Sequence, residues 1–146
     1  LPGVDEDGID TFQLSEFTNE GALVLLFYPF DFSPVCTNQL CGFRDAEWLT
    51  VTDNVDVVGV SVDSAYSHQQ FRSEYNLDFP LLTDRLASMA GEFGVKYDHW
   101  EGHPAVCKRA VFALDDSITI RYRWVTDDAR GQPTIDELKE AIGWLG

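Results

Sequence analysis

The chain alternates between short apolar runs and stretches patterned like amphipathic helices. Ala22 to Tyr28 (ALVLLFY) is continuously apolar, the mark of a strand covered on both faces. Val55 to Val62 (VDVVGVSV) reads as a second buried strand. Between them Ser33-Pro34 opens a helix that runs to about Leu49. A residue before proline is pushed out of the α region, which suits an N-cap, and proline fits the first helical position. Ser64 caps a further helix through Tyr75, with Phe71 and Tyr75 on one face. Leu77–Thr83 is an extended, proline-interrupted loop, and Asp84 caps a helix to about Phe93. Tyr97–Lys108 reads as a long loop holding His99, Trp100, His103 and Cys107. Arg109–Leu114 and Ile118–Val125 are strands joined by Asp115-Asp116-Ser117, a hairpin signal. Pro133 opens a final amphipathic helix, Thr134–Leu145. Leu1 to Thr18 is polar and rich in Gly and Asp, a loop with one short strand near Thr11–Leu14. This order predicts an α/β domain of three layers, α/β/α, with a central mixed sheet. No repeat or linker divides residues 1–146, so a single domain is expected.

Composition narrows the class. The longest apolar stretch is too short to span a bilayer and no charged-then-apolar signal segment opens the chain, so a soluble, cytoplasmic protein is expected. Asp and Glu number 25 against 10 Lys and Arg, a formal charge of −15. Only three of the basic residues are lysine (Lys96, Lys108, Lys139), and the acids are spread along the chain. Scattered acids fit a generally solvated surface; with so few lysines they also point to adaptation to high salt, where carboxylates hold water and salt screens their repulsion. It argues against nucleic acid and anionic membrane as partners. The cysteine count of three is odd, which argues against a closed framework of structural disulfides.

Cys36 falls in the first turn of the helix after Ser33-Pro34, among unpaired backbone N–H groups and the positive end of the helix dipole. Both favour thiolate over thiol. The position also follows the carboxyl end of a buried strand, where open α/β sheets place their ligands. Taken alone, a cysteine behind Ser-Pro is better read as an inert buried residue.

The surrounding residues resemble a known family. Pro29-Phe30-Asp31-Phe32-Ser33-Pro34-Val35-Cys36 is similar to the peroxidatic signature of the peroxiredoxins, thiol peroxidases of thioredoxin-like fold. Cys36-Thr37-Asn38-Gln39-Leu40-Cys41 resembles the bacterioferritin-comigratory, or Q-type, subfamily, in which a second cysteine five residues on resolves the first. Phe43-Arg44-Asp45, Val57–Asp63, Phe79–Asp84 and Arg109–Asp115 resemble further family segments in the family's order. The resemblance implies reduction of hydrogen peroxide or an organic hydroperoxide by Cys36, which becomes sulfenic acid. It implies that Ser33, Arg109 and the backbone N–H groups of Val35 and Cys36 stabilise the departing oxygen. Pro29 would shield the sulfur and Gln39 orient Arg109. Relatives often carry glutamate or histidine at the position of Gln39. The implied chemistry runs on the protein's own sulfur, with no cofactor or metal, and needs thioredoxin or a glutaredoxin-like protein as reductant. Monomer and homodimer both stay open.

Residues five apart on a helix have Cα atoms roughly 8.5 Å apart, beyond the roughly 7 Å that a disulfide tolerates. If Cys41 resolves Cys36, as the subfamily implies, the first turns must unwind. Gly42 weakens the helix beside Cys41 by about 1 kcal/mol relative to alanine; close helix–strand approach is its other reading, and packing is that of Cys41. Cys107 is expected to be a bystander, although an early strand start would point it to the same face as Arg109. The four tryptophans are expected in the core.

Three rival readings remain. A disulfide exchanger would carry Cys-x-x-Cys rather than four intervening residues. A metal module would use Cys36, Cys41, His99, His103 and Cys107 without typical ligand spacing. A redox-inactive binding domain can occupy the same fold. Relatives usually have a leading strand pair and an Ala-Pro-x-Phe element before the equivalent of Thr11–Leu14. Here the chain starts close to that point, so a trimmed N-terminal strand segment is expected.

Overall fold

A computed structural model describes residues 1–18, 21–45 and 55–126. The expected helix over Thr134–Leu145, Trp48, Trp144 and the stretch from 46 to Leu49 lie outside the described residues. The elements are strands β1 (Pro2–Asp5), β2 (Gly8–Thr11) and β3 (Ala22–Phe27), helix α1 (Pro34–Arg44), strand β4 (Val55–Ser61), helix α2 (Ala65–Glu74), strand β5 (Leu81–Thr83) and short helix α3 (Ser88–Glu92). Strands β6 (Lys96–Trp100), β7 (His103–Cys107), β8 (Arg109–Leu114) and β9 (Ile120–Thr126) follow.

Seven strands form one mixed sheet in the order β2-β1-β5-β4-β3-β8-β9. β3, β4 and β5 are parallel, whereas β8 runs antiparallel to β3, and β9 to β8. Every residue of β3 is buried because its two faces feed two cores. Val24 and Leu26 join Leu40, Phe43 and Phe71 from α1 and α2. Leu23, Leu25 and Phe27 join Ala90, Val95 and Phe112 on the opposite side. The continuous apolar run is thus the signature of a strand between two layers, and the fold is the expected thioredoxin-like α/β arrangement.

Four local expectations change. Leu1–Thr18 is not a loop: β1 and β2 pair as a hairpin, and β1 adds to β5 through Gly3↔Leu82 and Val4↔Leu81. A Cβ on Gly3 would lie 2.6 Å from the Leu82 side chain, so this docking needs glycine. The second change is Tyr97–Lys108, which forms the antiparallel hairpin β6–β7. Its turn residues Glu101 and Gly102 have φ of 48° and 80°, the two-residue turn whose twist suits strands. Third, Leu81–Thr83 of the expected loop is the strand β5. Finally, α3 starts at Ser88 rather than beside Asp84, yet Asp84 still takes the amides of Met89 (3.1 Å) and Ala90 (2.8 Å). Trp100 and Trp124 are only partly buried. No described helix is long and apolar enough to cross a membrane.

Candidate active site

Ser33 has extended backbone (φ −68°, ψ 142°) and Pro34 takes the first helical position, as the Ser-Pro pair predicts. The hydroxyl of Ser33 does not cap α1; it donates instead to the Phe30 carbonyl at 3.2 Å. The first helical turn closes with the Thr37 amide donating to the Ser33 carbonyl at 2.9 Å. The amides of Val35 and Cys36 therefore have no intrahelical acceptor and no capping side chain.

Cys36 is fully buried at this turn. Because β8 opposes β3, with Phe27 paired to Ala110, Arg109 stands beside the end of β3 from which the chain turns into α1. Its Nη2 donates to Cys36 Sγ at 3.3 Å and its Nη1 to Gln39 Oε1 at 2.6 Å. Gln39 is one helical turn beyond Cys36, so both residues face the guanidinium. The Gln39 amide nitrogen has no partner among the described residues. The guanidinium thus bridges the sulfur and the Gln39 side chain. Pro29 is buried at the mouth of the connection and Val35 partly exposed. Cys36, Gln39 and Arg109 are thus brought together, while the Ser33 hydroxyl bonds away from the sulfur.

Cys41 is partly buried against the same core layer as Cys36. α1 is intact across both and both thiols are free. Gly42 is exposed and a Cβ there would meet nothing within 4 Å. Close helix–strand approach is therefore not its reason. Cys107 packs with Ala110 and Phe112 in the other core layer, so the same-face alternative with Arg109 does not hold. Burial, reinforced by the nearby charges of Asp84 and Asp63, pushes the Cys107 thiol well up. The described residues form two groups of potential metal ligands whose donor atoms lie within 4.8 Å of one another, Asp31/Asp63/His68 and Asp5/Glu6/Asp7. Neither contains a cysteine, His99 or His103.

Sequence reasoning missed a buried polar network next to the site. The Tyr28 hydroxyl donates to Asp31 Oδ1 at 2.6 Å and the Ser67 hydroxyl to Asp31 Oδ2 at 2.9 Å. His68 Nδ1 lies 2.8 Å from Asp31 Oδ2, and its Nε2 lies 2.9 Å from the Leu82 carbonyl. The Asp31 amide donates to Asp63 Oδ2 at 2.8 Å, which also accepts from the Ser61 hydroxyl at 2.5 Å. Burial and then the charge of Asp31 hold the Tyr28 hydroxyl protonated, well above its usual range. The same two causes raise the Asp63 carboxyl. The available signal was His68 itself, spaced with Ala65 and Phe71 on the buried face of α2, because a buried histidine demands partners.

Fold and site together define a thioredoxin-like α/β protein with a cysteine at the first turn of the helix that follows a central strand. Within that class the chain belongs to the AhpC/TSA family, which residues 2–123 match. It is 37% identical over 118 residues to a chloroplastic peroxiredoxin Q of Triticum aestivum, covering 81% of this chain and 52% of the relative. It is 35% identical over 108 residues to a peroxiredoxin bcp of Coxiella burnetii, covering 70% and 69%. The chain spans about half the length of the plant relatives it matches. Among solved structures it resembles the peroxidoxin BcpB of Mycobacterium tuberculosis, with a TM-score of 0.79, 26% identity and coverage of 98% and 89%.

Proposed function

We propose that this chain is a thiol peroxidase acting on hydrogen peroxide and organic hydroperoxides, with Cys36 as nucleophile and Cys41 as resolving thiol. The observation that carries the reading is the Arg109 guanidinium 3.3 Å from Cys36 Sγ, beside two backbone amides without intrahelical acceptors. The Cys36 thiolate attacks the terminal peroxide oxygen. An S–O bond forms as the O–O bond breaks, sulfur is oxidised by two electrons, and the departing oxygen takes a proton to leave as water or alcohol. Arg109, the amides of Val35 and Cys36, and the free N–H groups of Gln39 stabilise charge on that oxygen. Pro29 keeps bulk water from the sulfur, and Ser33 holds the entry to α1.

Cys41 then attacks Cys36 Sγ, forming a disulfide and expelling hydroxide, which leaves as water with the Cys41 proton. An external dithiol, thioredoxin or a glutaredoxin-like protein, restores both thiols by exchange. Free thiols and a dithiol donor suit a reducing compartment such as the cytoplasm. The test is stopped-flow mixing of reduced protein with hydrogen peroxide. Cys36→Ser should not react. Cys41→Ser should react once and accumulate sulfenic acid without an internal disulfide. Normal recycling in Cys41→Ser overturns the resolving role, and peroxide consumption by Cys36→Ser overturns the nucleophile.

A further inference from the structure

The network around Asp31 takes no part in the peroxide chemistry, yet it grips the connection that delivers Cys36. The Asp31 side chain is 1% exposed and collects donors from three places: Tyr28 after β3, Ser67 on α2 and His68 on α2. His68 Nε2 faces the Leu82 carbonyl, which only accepts, so that nitrogen carries hydrogen. His68 Nδ1 lies 2.8 Å from Asp31 Oδ2 and 3.4 Å from the Tyr28 hydroxyl. The connection is thereby tied to β3, α2 and β5 at once. Asp31, Asp63 and His68 also resemble a cation site, but both His68 nitrogens and both Asp31 oxygens are already engaged.

Phe32 follows directly, at φ 68°, a left-handed conformation that bulky side chains avoid. Its ring lies 5.0 Å from that of Phe71 on α2. Strain of this kind persists only where surrounding contacts over-determine it, and here it lies between the Asp31 clamp and Ser33, the residue before α1. Releasing Asp31 lets Phe32 relax, and the first turn of α1 follows. The other end of α1 is held separately, by Arg44 Nη1 donating to the Tyr75 carbonyl at 2.6 Å.

We propose that Asp31, clamped by Tyr28, Ser67 and His68, is a positioning residue that sets how often the first turn of α1 unwinds. It thereby divides Cys36 between a folded state that meets peroxide and an unwound state that meets Cys41. The second statement rests on the peroxidase reading; the unwinding belongs to the reduced protein whatever its activity.

Amide hydrogen exchange on reduced wild type, Asp31→Asn and Ser67→Ala tests the first statement. Ser67→Ala removes one donor without leaving a buried charge unpaired. In Asp31→Asn the amides of the first two turns of α1 should exchange about tenfold faster, and in Ser67→Ala severalfold faster, with β3 and β8 unchanged. Equal acceleration in α1, β3 and β8 would reveal mere global destabilisation and overturn the proposal. So would unchanged exchange of α1 in both variants. Stopped-flow on the same proteins should show slower reaction with peroxide and faster disulfide formation, a split that uniform loss of stability does not produce; both rates falling together overturns the second statement. Faster exchange in α1 combined with normal recycling of Cys41→Ser would leave the Asp31 clamp standing and remove only Cys41.

Discussion

Replacing Gly42 by alanine isolates the helix-opening step from everything else in the cycle. Gly42 lies inside α1, is exposed, and has open space where a Cβ would go. Alanine therefore adds helix propensity of about 1 kcal/mol with no steric opposition. If α1 must unwind through this position before Cys41 reaches Cys36, the unwound population falls by about fivefold, since 1.4 kcal/mol is tenfold. Disulfide formation should slow by the same factor, about fivefold. The peroxide step uses the folded helix and should keep its rate. Rapid quenching with a thiol-blocking reagent, followed by mass spectrometry, resolves sulfenic acid from disulfide at each time point. At high peroxide the longer-lived sulfenic acid should proceed more often to sulfinic acid. A Gly42→Ala protein that melts higher yet forms its disulfide at the wild-type rate would refute the reasoning. A peroxide step slowed by the same factor would refute it as well.

Other outcomes follow from the same geometry. Gln39→Ala removes the 2.6 Å acceptor that aims Arg109; the second-order rate with peroxide should fall about tenfold, with disulfide formation unchanged in stopped-flow. Arg109→Lys replaces a two-pronged donor by a point charge and should slow the same step by about a hundredfold. Cys107 should resist alkylation in the native protein and react only after denaturation. Above the ordinary thiol value of 9.0 the unfolded chain ionises Cys107 while the folded one keeps it protonated. Stability is therefore lost as pH rises from there, by up to about 1.4 kcal/mol per pH unit. Denaturant unfolding of wild type and Cys107→Ala between the ordinary values of Cys107 and Tyr28, 9.0 and 10.0, should show a shallower slope in the variant. We also propose that the net charge of −15 reflects adaptation to salt, so the melting temperature should rise between about 0.1 and 2 M potassium chloride.

What could be read from the residues was whatever local chemistry dictates. Ser33-Pro34 marked the start of α1, the run Ala22–Tyr28 marked a strand between two layers, and Ser64 marked α2, whose Ser67 amide it caps at 3.2 Å. The peroxiredoxin-like segments named Cys36, Gln39 and Arg109, which do converge. Pairing over distance was less accessible. The β6–β7 hairpin turns on Glu101-Gly102, a weaker signal than Asn-Gly or Asp-Gly. β1 and β5 are short strands, second and third from the β2 edge of the sheet, whose identity comes from their pairing partners rather than from hydrophobic alternation. The Asp31–His68 network joins residues 37 positions apart, and only the oddity of a histidine on an apolar helix face hints at it.

The contact between Arg109 and Cys36 depends on the bookkeeping of one ladder. β8 presents alternate residues to opposite cores, Val111 and Ala113 to one, Ala110 and Phe112 to the other. Arg109 shares the parity of the first pair. Inserting a single amino acid between Arg109 and Ala110 would keep the pairing from Ala110 onward, give up the Arg109–Thr126 rung, and turn the guanidinium to the opposite face of the sheet. The chain would fold with an unguarded sulfur, so frame-shifting variants at the start of this strand should separate folding from chemistry more cleanly than any side-chain exchange.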